Sequence, residues 1–176
     1  DGRLVAPTLR RRGPVSLIGV NTAVPTAPFM ASGRVGTAQR ARLADMLAAE
    51  RNAGQVRVVL IHHPVQPGVV RWRKSLHDAA AVRAILAGQG AELVLHGHMH
   101  SAMTAELPGP DGPIPVHGAG SASIARDHRG ERGHYNVIRI TRDAAGLRIG
   151  VRARRYDAAL EAFAAEDAPV SAADAA

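Results

Sequence analysis

Two short apolar runs in this chain end in histidine. Val58-Val59-Leu60-Ile61 runs into His62, His63 and Pro64, and Leu93-Val94-Leu95 runs into His96, Gly97, His98, Met99 and His100. Apolar runs of this length without alternation fit strands covered on both faces, as in a parallel sheet. Parallel neighbours need a crossover, usually a helix. Residues 76–87 supply one, with Leu76, Ala79, Ala80, Val82, Ala84, Ile85 and Leu86 as its apolar positions and Gly88 and Gly90 to end it. Ligands of parallel α/β sheets sit outside the carboxyl ends of the strands. Neutral imidazole is a common ligand of Zn, Fe and similar metals, so histidines at two such ends point to a metal site on one rim.

The preceding chain has the same grammar. Val15–Val20 (VSLIGV) reads as a strand, 21–36 as a long loop with Pro25, Pro28, Gly33 and Gly36, and Thr37–Asn52 as a helix capped by Thr37. Leu43, Met46 and Leu47 share one helical face, and Ala53-Gly54 closes the helix. Val56–Ile61 is the next strand. Loop 64–72 carries two prolines and Gly68, and Ser75 is the expected cap of the second helix. Strand, helix, strand, helix, strand is the order of an α/β layer with right-handed crossovers. Residues 1–12 show no period and read as a connector.

After residue 100 the pattern changes. Residues 107–115 (LPGPDGPIP) are rich in turn formers. Residues 114–117, 135–140 and 147–154 read as strands, the last two joined through 143–146, as an antiparallel closing section. Ala-rich, acidic residues 157–176 form an expected tail, with a short helix over 158–165.

Composition excludes several classes. Cysteine is absent, so disulfides and thiolate ligands are excluded and a transition metal must be held by His and carboxylate. No apolar run approaches the roughly 20 residues of a membrane span. The formal charge is +7, with 22 basic residues, of which only Lys74 is lysine. No Arg cluster interleaved with stacking aromatics supports a nucleic-acid partner. The oligomeric state is not legible, and the expected location is cytoplasmic.

His98 and His100 are two apart, which in extended backbone places them on one side, with Met99 pointing away and Gly97 easing the bend. His62-His63-Pro64 after VVLI, followed by His96-Gly97-His98-Met99-His100, resembles the C-terminal half of the calcineurin-like metallophosphoesterases, in particular the bacterial, cyclic-nucleotide phosphodiesterase-like branch. The resemblance runs from about Val15 to Arg154 and includes GVNTAVPTAP and IPVHGAGSAS. It implies an α/β fold, the C-terminal half of a four-layer αββα sandwich with mixed sheets, over residues 1–156. It also implies a hydrolase that cleaves a small phosphoester, a phosphodiesterase or phosphatase, with two divalent metal ions (Mn, Fe or Zn) and a metal-activated water. Carried over by motif, His62 and His98 would share one ion and His100 would serve the other. His63, His96, His117 and Asn21 would stand beside the ligands or line the pocket.

The family's D-x-H, G-D and G-N-H motifs have no match here. Besides Asp1, the only Asp before His62 is Asp45, and Asn21 stands in GVNT. Truncation of a longer parent is the expected cause, and the chain as it stands is expected to be inactive, with apolar faces bared near Val15–Val20 and Val56–Ile61. The alternative is a degenerate, non-catalytic metal-binding or interaction module. A serine hydrolase is disfavoured, because around Ser121 the G-x-S-x-G positions hold Ala119 and Ser123. No H-E-x-x-H occurs to support a zinc protease.

Overall fold

The computed structural model describes residues 5–123 and 133–165. It has a mixed α/β fold with two sheets and two helices. The strands are β1 (Thr8–Arg12), β2 (Val15–Val20), β3 (Val56–Ile61), β4 (Leu93–His96), β5 (Met103–Leu107), β6 (Ile114–Gly118), β7 (His134–Asp143), β8 (Gly146–Asp157) and β9 (Ala162–Ala165). The helices are α1 (Thr37–Asn52) and α2 (Ala79–Gln89), and Trp72–Lys74 forms a 3-10 turn. Two compact units divide the chain. One contains residues 1–98 and 105–117, the other 99–104 and 118–176.

The first sheet has the order β1-β2-β3-β4-β6-β5. β2, β3 and β4 run parallel, with Val15 beside Val56 and Val58 beside Leu93. The crossovers are α1 and α2, as the alternation of strand and helix predicts. Ile18, Leu43, Leu47, Val59, Val82, Leu86 and Val94 are buried together in one cluster. β3 is buried at every position but Leu60, which accounts for its unbroken apolar run.

One residue in that strand is a cation. Arg57 is buried, and its guanidinium donates to both carboxylate oxygens of Glu92 and, at 2.7 Å, to the Gln89 carbonyl at the end of α2. The Arg57 backbone N–H also donates to Glu92. A buried guanidinium is tolerated because each partner is a charge or an orphan helix carbonyl.

The segment expected to be a connector ends in β1, which pairs antiparallel with β2 from Thr8–Gly19 to Arg12–Val15. β2 is thus paired on both sides and Val58 and Val59 are buried, while Leu60 is exposed and Val15 and Leu17 are half-buried, so the apolar exposure expected near these strands is partial. All five β1 residues are exposed, and three are Arg, a composition that discourages pairing at a sheet edge. Arg11 reaches over the sheet to Glu50, which is 2 % exposed on α1 and also accepts from the Ser16 hydroxyl at 2.5 Å.

Both helix caps differ from expectation. Gly36 precedes α1 with φ 81, and no side chain caps it. The expected cap of the second helix, Ser75, donates its hydroxyl to the Trp72 carbonyl in the 3-10 turn instead. Helix α2 starts at Ala79, because Gly33 pairs with Leu76 and its carbonyl takes the His77 N–H, holding 76–77 extended. The Asp78 carboxylate accepts the Val35 and Gly36 N–H groups.

In the second unit, β7, β8 and β9 form an antiparallel meander. Asp143 pairs with Gly146 across a two-residue turn, where the sequence places it. Residues 162–165 form a strand, not the expected helix. They pair with β8, and the Phe163 ring meets Tyr135 at 5.0 Å and Tyr156 at 5.6 Å, so sheet pairing and ring contact override the helix preference of alanine. The tail from residue 166 lies outside the described residues. No described helix is long and apolar enough to cross a membrane.

Candidate metal centre

The parallel register delivers the histidines. β3 and β4 lie side by side, and past their ends the Gly97 N–H still donates to the His62 carbonyl at 3.1 Å. His62 and His98 therefore meet. His62 Nε2 is 3.2 Å from His98 Nδ1, with the rings edge to face at 5.1 Å. His98 Nε2 is buried. His98 also has φ 71, a left-handed backbone that is uncommon for a residue with a Cβ.

The electrostatics keep this pair neutral at His98. Its pKa is pushed down to about 4, first by burial, then by His63 and His62, while the Lys74 backbone carbonyl offsets only part of the shift. Neutral imidazole is the ligating form.

His63 faces the same rings, 4.3 Å from His98 centre to centre, yet it is committed elsewhere. Its Nδ1 accepts from the Thr22 hydroxyl at 2.7 Å, and its Nε2 donates to the Ala31 carbonyl at 3.1 Å. That leaves no lone pair for a metal, and burial holds its pKa below the usual value. His63 therefore ties loop 21–36 to the end of β3.

His96 closes β4 and is buried. Gln66 Nε2 donates to its Nε2 at 2.9 Å, and its Nδ1 faces the Gly97 carbonyl at 3.2 Å. His117 is buried at the end of β6, and the pKa values of both are lowered, chiefly by burial. Asn21 has its side-chain oxygen engaged locally. Its Oδ1 accepts the Ala23 N–H in a local turn, while Gln39 grips its backbone N–H and carbonyl at 2.8 Å each.

The extended alternation expected of His98 and His100 is absent. β4 stops at His96, and His98 and His100 have φ 71 and 58. His100 is exposed and falls in the second compact unit. Gly97 is not needed for space, since a Cβ there would sit 3.8 Å from His62 Nδ1, an ordinary contact. Gln66, Gln39 and Thr22 escape sequence reasoning. Buried polar residues on loops and helix starts follow no hydrophobic period.

How far these residues suit a metal follows from the distances. One tetrahedral ion at about 2.0–2.1 Å from two ring nitrogens sets them about 3.3 Å apart, close to the 3.2 Å between His62 and His98. The same spacing also accommodates one N–H shared between neutral rings. Among the described residues, however, no group of three or more His, Asp or Glu side chains is placed to hold a metal ion. The described residues thus supply two nitrogens and do not complete a centre. No protein-family model matches the chain, and neither does any curated protein.

Proposed function

We propose that this chain is a ligand-incomplete, non-catalytic metal-binding module. His62 and His98 provide the imidazole side of a transition-metal site, and phosphoester hydrolysis is beyond the chain by itself. The observation that carries this reading is the convergence of the two ring nitrogens to 3.2 Å in the absence of a described third ligand. Hydrolysis by two metal ions needs bridging and terminal oxygen ligands to balance the ions' charge, and two imidazoles offer none.

The test is a Co²⁺ or Zn²⁺ titration followed by calorimetry, with a parallel assay on an activated phosphodiester in Mn²⁺. One weak site is expected, lost in both His62→Ala and His98→Ala, with turnover no faster than the metal-only control. Turnover well above that control overturns the non-catalytic reading. Binding that survives both substitutions overturns the assignment of the ligands.

A second reading has specific support in the placement of H-x-P and G-H-x-H at adjacent parallel strand ends. In it, the chain is part of a metallophosphoesterase whose carboxylate ligands come from other polypeptide. His98 would share one ion with His62. The bound ions would activate a water and offset phosphoryl charge. Restored diesterase activity on adding upstream polypeptide that carries D-x-H and G-N-H would favour it over the first reading.

A further inference from the structure

The chain has only five aromatic residues besides histidine, one Trp, two Tyr and two Phe. Two of them stand bare on neighbouring loops of the first unit. Phe29 is 97 % exposed and Trp72 67 % exposed. Phe29 also has φ 65, a left-handed conformation unfavourable for a bulky L-residue. That φ belongs to the third position of the Ala27–Met30 turn, closed by the Met30 N–H on the Ala27 carbonyl at 3.1 Å with Pro28 before it, and the turn holds the ring out at its tip.

The two loops are zipped together by backbone. Ala31 N–H donates to the Arg73 carbonyl at 2.9 Å, and Gly33 N–H to the Ser75 carbonyl at 3.0 Å. Phe29 lies two residues before Ala31 and Trp72 one before Arg73, so the ladder brings both aromatics to the same end of the pair. Trp72 is steadied by His77, stacked on it at 5.6 Å and 14°. The charge here has one sign. Residues 21–36 and 64–77 contain Arg34, Arg71, Arg73 and Lys74, all exposed, and no Asp or Glu.

Exposed apolar rings within a purely cationic rim match the interface of an anionic bilayer. Trp and Phe settle at the headgroup boundary, and Lys and Arg are drawn to the negative surface. We propose that the paired loops carrying Phe29 and Trp72 dock this protein peripherally on anionic lipid surfaces. A protein partner or second copy would equally cover the rings. Four exposed cations, with the neighbouring Asp78 carboxylate taken up by the Val35 and Gly36 N–H groups, favour a surface that is negative throughout. The proposal does not depend on the histidine pair binding metal.

Trp72 is the sole tryptophan, so its emission reads this surface directly. The experiment uses vesicles of phosphatidylcholine alone and of phosphatidylcholine with phosphatidylglycerol. Sedimentation with the anionic vesicles only is expected, weakened by salt, with a blue shift of Trp72 emission. Phe29→Ala should lower partitioning about tenfold, the scale of burying one large apolar side chain. Arg71→Glu and Arg73→Glu should each lower it at least about fivefold. Because all three side chains are exposed, urea midpoints equal to wild type confirm that the variants fold. No sedimentation, equal binding to neutral vesicles, or no effect of Phe29→Ala overturns the proposal. So does a blue shift that accompanies self-association without vesicles, which would assign the surface to a second copy.

Discussion

Gly33 presses against the His63 ring so closely that a Cβ on it would lie 2.5 Å from Cε1 and 2.6 Å from Nδ1. The same Cβ would meet the Thr22 carbonyl at 2.8 Å. Loop 21–36 therefore reaches the end of β3 only because residue 33 has no side chain. The His63 bonds to Thr22 and Ala31 depend on that approach.

Gly33→Ala should destabilise the fold by about 1–3 kcal/mol, the usual cost of overpacking against atoms that cannot move freely. Gly88 provides the contrast. It lies within α2, and a Cβ there would meet nothing within 4 Å. Gly88→Ala should stabilise by up to about 1 kcal/mol through helix propensity. Urea melts of the two variants check both signs, and equal midpoints would refute the steric account of Gly33.

Acid should weaken the fold well above the carboxylate range. His63, His96, His98 and His117 all hold the proton less tightly than the ordinary value of 6.5, and burial is the largest cause for each. Their folded pKa values lie below the unfolded one, so the unfolded chain binds more protons in between. Stability is full above about pH 6.5 and falls as pH drops through the folded values, to about 4 for His98. The urea midpoint should be lower at pH 5 than at pH 7.5, and His98→Gln should shrink that difference. A flat profile between these pH values would count against the buried neutral histidines.

A separate loss should follow at lower pH. Bonds from Arg11 and Ser16 hold the Glu50 carboxyl below its usual range. A lowered carboxylate pKa adds stability that is present above the unfolded value of 4.5 and lost as pH falls through the folded value. Glu50→Ala should cost about 1–3 kcal/mol at neutral pH by stranding the Ser16 hydroxyl and the facing guanidinium. Glu50→Gln should flatten the stability profile below pH 4.5. An unchanged profile would show that the bridge from β1 to α1 contributes nothing.

Arg57 and Glu92 should show strong coupling. Arg57→Met takes the guanidinium from the Glu92 carboxylate, which keeps only the residue-57 backbone N–H, and from the Gln89 carbonyl, a loss of about 1–3 kcal/mol. Arg57→Met with Glu92→Leu removes both charges and should recover much of that loss. A double-mutant cycle in urea measures the coupling. Additive effects would mean that the pair is already solvated.

The order of elements from β2 to β4 was legible because buried strands and amphipathic helices leave periods in the sequence. Val15–Val20, Val56–Ile61 and Thr37–Asn52 match their expected bounds. β1 and β9 were not legible. Arg10, Arg11 and Arg12 become a strand only because β2 offers an edge, and Ala162–Ala165 only because β8 does. Motif position nominated His62, His98 and His100 as ligands and His63, His96 and His117 as their neighbours. Tertiary placement separates them. It gives both nitrogens of His63 to Thr22 and Ala31, and Nε2 of His96 to Gln66. It leaves His62 facing His98 and puts His100 in the other unit. Sequence period reports which faces are buried, but the direction of a ring nitrogen depends on residues 30 to 41 positions away. Only the folded chain brings those residues together.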